Sequence, residues 1–372
     1  MTILSRIWLA LALLQQAAPG QTPRWTEDAA RQWSTKEPWL VGSNYLPAYA
    51  SNELEMWQAD TFDPKRIDLE LGWAEGLGMT TMRVFLHDLL WKQDSEGFKK
   101  RIGTFLDISA KHHIKPLFVL FDSCWDPNPQ LGTQPPPRPG IHNSRWVQSP
   151  GMAALQDPAQ YPRLEQYVEG VVGAFANDER VLGWDIWNEP DNQNGSSYGK
   201  TEPKNKVELV LNLLPKAFEW ARTVHPQQPL TSGIWHEDPS AGGTLSPMAK
   251  EQLALSDIVS FHDYDPPAIF EKEIKWLETY NRPLICTEYM ARPKGSTFQA
   301  ILPIAKEFKV GAINWGFVAG KSQTYLPWDS WQRPYVHHPP RVWFHDIFHQ
   351  DGQPYRPEEV DLIRKITAKP SE

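Results

Sequence analysis

Val181-Leu182-Gly183-Trp184-Asp185-Ile186-Trp187-Asn188-Glu189-Pro190 is an apolar, aromatic run of strand length that stops at Asn-Glu-Pro. Strands buried on both faces of a parallel sheet read as near-continuous apolar runs of this kind. Pro190 has no N–H to give to a ladder, so the strand ends there. Asn188 and Glu189 then stand at the carboxyl end of a buried strand, where closed α/β sheets carry their reactive groups. Further along, Pro283-Leu284-Ile285-Cys286-Thr287-Glu288-Tyr289 repeats the plan: an apolar strand, then one glutamate at its end. Two glutamates that close separate buried strands make a candidate carboxylate pair facing one cleft.

Outward from this strand, the chain alternates strand and helix patterns, which predicts an α/β fold with parallel strands. Strands are expected at 40–45, 81–86, 116–121, 181–188, 230–233, 258–261, 284–287 and 312–317. Between them lie apolar positions at helical spacing. Asp63-Pro64 should cap a helix with Ile67, Leu71 and Ala74 on one face, ended by Gly78. The next is expected from about Ser95, with Phe98, Ile102 and Phe105, and another near Pro162, with Leu164, Val168, Val171 and Phe175. Val207, Leu211, Leu214, Phe218 and Ala221 give the cleanest period, with a kink expected at Pro215. Further helices are expected at 247–255, around Phe270, Ile274 and Leu277, at 298–308, and from Pro357. Eight units in succession favour a (β/α)8 TIM barrel, a single domain, over a doubly wound sheet. The first strand–helix turn has no Gly-rich phosphate fingerprint, which also counts against a dinucleotide fold.

Two connections are far longer than the usual two to six residues. Residues 122–158 hold eight prolines from Pro127 to Pro158, and residues 318–355 hold Trp328, Trp331, Tyr335 and the His337-His338 pair. Both leave the carboxyl ends of their strands, so they should wall the mouth of the barrel. Proline lowers the entropy lost on ordering a loop, and we expect these walls to narrow the cleft toward short substrates or chain ends.

The 372 residues have ample length for a full core, and with 41% hydrophobic and 22% charged residues the chain reads as globular. The 45 acidic residues outnumber the 37 basic, giving a net charge of −8 that argues against a nucleic-acid partner. Of the 18 tryptophans, those in Pro- and Asn-rich stretches (Trp91, Trp125, Trp146, Trp235, Trp328, Trp331) are expected to serve as flat platforms for sugar rings.

The two glutamate-closed strands, taken with Arg83 in strand two, His262 and Tyr264 after strand six and Trp315 on strand eight, resemble glycoside hydrolase family 5 and its clan of retaining barrel glycosidases. The likeness runs from Trp39 to Ile366. It implies a retaining β-glycosidase without a cofactor, Glu189 being the acid/base and Glu288 the nucleophile. It also implies that Asn188 holds the sugar 2-hydroxyl, that Tyr264 orients the nucleophile, and that Trp315 lies under the sugar at the cleavage point. Arg83, a lone arginine in an apolar strand, needs a buried acidic partner and could supply a cation to Glu288. Asn44, Trp125, Trp235 and Trp328 complete the expected substrate-binding set. The family usually carries a histidine at the end of strand three. Here that stretch reads Phe121-Asp122-Ser123-Cys124-Trp125, and His87 is the candidate to fill the space.

Two rival readings stay open, a non-catalytic carbohydrate-binding barrel and a metal-dependent hydrolase. His345 and His349 stand at i and i+4, but the pattern lacks the glutamate base of metalloproteases. His112-His113 suits a helix end, and no Gly-x-Ser-x-Gly elbow suggests an esterase. Residues 1–20 read as an export leader: Arg6, an apolar run at 7–14, then small residues at Ala18-Pro19-Gly20. The mature chain, 21–372, is therefore expected to be periplasmic or secreted, monomeric and free of any membrane span. Cys124 and Cys286 fall on strands three and seven, nearly opposite, which predicts no disulfide.

Overall fold

The computed structural model describes residues 23–237 and 245–368, so the expected leader lies outside the described residues. Eight parallel strands follow the order β5-β4-β3-β2-β1-β8-β7-β6. They are β1 Val41–Asn44, β2 Thr81–Phe85, β3 Lys115–Asp122, β4 Gly183–Asn188, β5 Leu230–Thr231, β6 Val259–His262, β7 Leu284–Glu288 and β8 Gly311–Asn314. One parallel bridge, Ile234 to Phe261, joins the β5 side to the β6 side and brings the sheet nearly closed. Around it run α1 Glu27–Lys36, α2 Glu53–Trp57, α3 Pro64–Glu75, α4 Asp88–Lys111, α5 Met152–Leu155, α6 Tyr161–Ala174, α7 Lys206–Thr223, α8 Pro247–Leu255, α9 Pro267–Leu277, α10 Phe298–Glu307 and α11 Pro357–Thr367. The fold is a (β/α)8 TIM barrel.

Local chemistry sets the helix ends. The Asp63 carboxylate accepts the N–H groups of Lys65 and Arg66 at 3.0 Å each, and Pro64 occupies the first turn of α3. α4 begins at Asp88, ahead of the expected start near Ser95, because it is two helical pieces joined at Asp94. Asp94 leaves helical geometry, and its carboxylate caps Gly97 N–H at 2.9 Å, restarting the helix at the Phe98 face. α7 runs on through Pro215. Strand five is shorter than expected, with only Leu230 and Thr231 in the ladder. α1 escaped the pattern because its one fully buried residue is Ala30. That residue packs with Leu40, Leu117, Leu182, Ile258, Ile285 and Ile313 at the strand starts and plugs the barrel floor.

Opposite this floor, the two long connections are stitched together. Gly140 N–H donates to Gln323 Oε1, His142 N–H to Ser330 Oγ, Asn143 N–H to Ser322 O and Tyr335 N–H to Gly140 O. Gly140 is required at this crossing: its φ is +73°, and a Cβ would lie 2.6 Å from the Tyr335 backbone. The segment after β1 joins them, with Asn52 Nδ2 bonded to Arg145 O and Lys321 N–H to Ala48 O. In the barrel order β1 and β2 lie between β3 and β8. The stitched loops therefore meet above the β1 and β2 side of the barrel.

Candidate active site

Glu288 is the last residue of β7, and Glu189 follows β4 directly. Glu189 adopts φ +42°, a left-handed conformation that costs a side-chain-bearing residue about 1–3 kcal/mol and gathers at functional sites. Both carboxyls and the ring of His262 converge, with one ligand atom from each lying within 4.8 Å of the others.

Arg83 organises the floor beneath them. It is 0% exposed and uses all five N–H groups. Nε and Nη2 donate to Asp185 Oδ2, Nη1 to Asn44 Oδ1 and to Glu288 Oε1 at 2.8 Å, and Nη2 to Asn188 Oδ1 at 2.7 Å. The cation expected beside Glu288 is there, but with no donor to spare it cannot also bind substrate. Tyr264 O–H donates to the other oxygen of Glu288 at 2.7 Å. Burial and the nearby Glu189 carboxyl raise the pKa of Glu288, while the Arg83 guanidinium and the Tyr264 hydrogen bond oppose that rise.

Glu189 has a different set of donors. Its Oε2 accepts the Cys124 thiol at 3.1 Å and Asn192 Nδ2 at 2.6 Å. Its Oε1 lies 3.1 Å from His262 Nδ1, which is also 3.5 Å from Glu288 Oε2. Burial lowers the His262 pKa to about 4, so the ring is neutral at pH 7. Burial raises the Glu189 pKa, chiefly against the hydrogen bonds from Cys124 and Asn192.

Above the pair opens a cleft of about 810 Å³, lined by Asn188, Glu189, His262, Tyr264, Glu288 and Trp315, with Trp125, Trp235 and Trp328 on its walls. Trp235 is held by Asp191, which accepts its indole N–H at 2.6 Å. Trp328 packs edge-on to Tyr264 and carries the Lys294 ammonium 4.5 Å from its ring.

Other expected positions fall elsewhere. His87 is 0% exposed and outside the cleft lining; its Nδ1 accepts Leu89 N–H at the start of α4, so it does not fill the space left after β3. Asn44 is also outside the cleft lining, its Nδ2 tied to Thr287 O and Asn314 O and its Oδ1 to Arg83. Trp146 lies behind Trp315, donating to Asp122 at 2.6 Å, and Trp331 lies behind Trp125, stacked at 5.3 Å. Trp91 packs on Gly170 of α6, and the Tyr335 hydroxyl bonds Asp329. Tryptophan-rich composition marks aromatic mass but not which face stays uncovered. His345 and His349 are not on a helix, and His345 Nδ1 bonds Met290 O. Both cysteines are free and buried: Cys286 in β7, Cys124 just past β3.

Sequence reasoning missed Asp122, Cys124, Asn192, His142 and Asn143. Asp122 takes N–H groups from Asn188 and Trp146, at 2.9 and 2.6 Å, and burial raises its pKa to about 6. Its position at the end of β3 was the available signal, as was that of Cys124 two residues on.

A buried carboxyl pair under an aromatic-walled cleft, at the carboxyl end of a barrel, is the equipment that glycoside hydrolysis requires. The model of the cellulase family, glycosyl hydrolase family 5, matches residues 140–332, and the chain belongs to that family. Among solved structures, the exo-β-1,4-mannosidase Op5Man5 from Opitutaceae bacterium strain TAV5 matches with TM-score 0.56 and 19% identity over 88% of this chain. This chain spans 59% of that enzyme's length. GH5_18 from Streptomyces cattleya, in complex with GlcNAc, matches with TM-score 0.56 and 12% identity over 88% of this chain and 79% of its own. The endo-β-1,4-mannanase from Thermotoga petrophila matches with TM-score 0.54 and 13% identity over 88% and 76%. At these identities the likeness is one of fold. No curated protein matches by sequence. Among the described residues, no helix is long and apolar enough to cross a membrane.

Proposed function

We propose that this glycoside hydrolase is a retaining β-glycosidase that releases sugars from chain ends or short oligosaccharides. Glu288 acts as nucleophile and Glu189 as acid/base. The observation that carries this reading is the convergence of the two carboxyls, one oxygen of each lying within 4.8 Å of the other. Retaining enzymes hold the pair about 5–5.5 Å apart, whereas inverting enzymes need about 6.5–9.5 Å to admit a water.

The chemistry follows from the unequal surroundings. Arg83 and Tyr264 stabilise the ionised form of Glu288. Glu189 is buried without a lysine or arginine within ion-pair reach among the described residues, and burial favours its protonated form. Glu288 attacks the anomeric carbon as Glu189 gives its proton to the departing oxygen, leaving a glycosyl ester on Glu288. With the charge of Glu288 consumed, the repulsion on Glu189 falls, so its pKa drops and it can take a proton from water. That water displaces Glu288 and releases the sugar with its configuration retained.

Chain-end action is supported by the stitched loops, which meet above the β1 and β2 side of the barrel where a through-running polymer would need an open groove. The mannosidase and mannanase neighbours make β-1,4-mannosides the first substrates to try. The leader-like residues 1–20 support action outside the cytoplasm. Glu189, His262 and Glu288 also offer ligand atoms to a divalent cation. Arg83 already places a positive charge 2.8 Å from Glu288, which opposes one.

The test is a panel of β-linked polymers, oligosaccharides and 4-nitrophenyl β-glycosides, followed by product size and by NMR of the first anomer formed. Early monosaccharide or disaccharide of retained configuration is expected. A rapid fall in polymer viscosity with mixed oligomers would overturn chain-end action, and an inverted first product would overturn the double displacement.

A further inference from the structure

The cleft holds four asparagines, and three are fully engaged. Asn188 is bonded by Arg83 and Asp122, Asn192 by Glu189 and the Asn194 backbone, and Asn194 by the Trp125 backbone, Ser123 and Glu202. Asn143 is the exception. It is 0% exposed and lies in the cleft wall beside His142, yet neither its Nδ2 nor its Oδ1 has a hydrogen-bond partner. Leaving both ends of a buried amide unmade forfeits hydrogen bonds on two polar groups at once.

The backbone adds a second cost. Asn143 has φ +46°, in the left-handed region, and its main chain is pinned there by Asn143 N–H to Ser322 O at 2.8 Å and Trp146 N–H to Asn143 O at 3.1 Å. The first of these bonds belongs to the seam between the two long loops and the second to the loop after β3, so the residue stands where the seam borders the cleft. His142 next to it is fixed by its Nδ1 to Leu326 O at 2.9 Å. An amide unmade at both ends, on a locked and strained backbone, in a substrate cleft, points to a ligand group that completes it.

We propose that Asn143 is a specificity-determining residue that reads two hydroxyls of the terminal sugar where the seam borders the cleft. Its Oδ1 accepts from one hydroxyl while its Nδ2 donates to another. Both amide atoms are shielded from the open cleft, so the side chain turns about its own χ angles to engage them. That motion breaks no hydrogen bond, because the amide has none to lose. The inference rests on the glycosidase reading and deepens it: neighbouring hydroxyls of a pyranose offer the paired donor and acceptor that an amide needs.

The test compares wild type with Asn143→Ala and Asn143→Gly by thermal unfolding and by kcat/KM. The substrate is whichever 4-nitrophenyl β-glycoside in a panel the wild type cleaves fastest, together with its monodeoxy analogues. Asn143→Gly removes both the unpaired amide and the strained side chain, so its melting temperature should equal or exceed that of wild type. Its kcat/KM on the parent glycoside should fall roughly ten- to hundred-fold. For each of the two analogues lacking a hydroxyl that Asn143 reads, the gap between variant and wild type should narrow, while for the other analogues it should stay as on the parent. Unchanged kcat/KM in both variants, or a loss equal on parent and all deoxy analogues, would overturn the proposal while leaving the glycosidase reading intact. Wild type inert toward the whole panel would overturn that reading and this inference with it.

Discussion

Arg83 Nη1 lies 2.8 Å from Glu288 Oε1, whereas Glu189 has no lysine or arginine within ion-pair reach among the described residues and faces the neutral ring of His262 at 3.1 Å. One arginine thus makes two chemically identical side chains unequal. The same guanidinium also binds Asp185, Asn44 and Asn188, tying β1, β4 and β7 to β2.

Replacing either glutamate by glutamine removes its charge or proton but keeps its volume. Glu189→Gln should lower turnover roughly a hundred- to ten-thousand-fold, and Glu288→Gln by at least as much, with circular dichroism unchanged. Azide should restore activity to Glu189→Ala on an activated glycoside, because an external anion can replace the base step but not the ester on Glu288. Near-normal turnover in either glutamine variant would remove these role assignments.

The pH profile follows from two shifts of the same sign. Burial raises the pKa of both glutamates. Activity requires Glu288 ionised, so it rises as pH climbs through that group, and Glu189 protonated, so it falls as pH climbs further. A bell with both limbs above the usual glutamate range is expected in kcat/KM, its limbs being macroscopic values of the coupled pair. EDTA should leave the curve unchanged. Activity lost on chelation and restored by zinc would favour the metal reading.

Cys124 lies in the stretch just past β3 where the family resemblance fails for want of a histidine, and its thiol donates to Glu189 at 3.1 Å. A donor to the carboxylate favours the ionised form, so Cys124→Ala should move the basic limb up by about half a unit, while Cys124→Ser, a stronger donor, should not. Burial raises the thiol pKa well above its usual value, so alkylation at neutral pH should be slow. Identical profiles in all three proteins would show that the contact does not tune the acid/base.

Arg83→Met would leave Asp185 and Glu288 buried without their cation. A loss of about 3–5 kcal/mol in denaturant unfolding is expected, partly recovered by adding Asp185→Asn. A loss under about 1 kcal/mol, the scale of an exposed pair, would contradict the geometry described.

The barrel was legible because buried parallel strands are apolar throughout, and Arg83 because a lone cation in such a strand must be paired. That Glu189 and Glu288 line one cleft was legible from their places at two strand ends, whereas their separate roles were implied only by the family resemblance. Contacts between loops were not. Cys124 and Asn192 meet Glu189 through turns after β3 and β4, and nothing in their neighbours' composition announces that. His87 and Asn44 were misassigned for a related reason: a polar residue near a strand end can be turned inward to bind backbone, as both are. Whether an aromatic ring is open or covered, as in Trp235 against Trp146, depends on what folds over it. The unpaired amide of Asn143 is likewise a property of three dimensions only.

The seam joining Gly140, His142 and Asn143 to Ser322, Gln323 and Ser330 links segments from opposite halves of the chain. Neither loop can finish until the strands that launch it, β3 and β8, stand in the same barrel. Contacts so distant along the chain form late, after local helices and neighbouring strands. On refolding, far-ultraviolet ellipticity should therefore recover before activity on a 4-nitrophenyl glycoside, since the wall of the cleft is the last part to assemble.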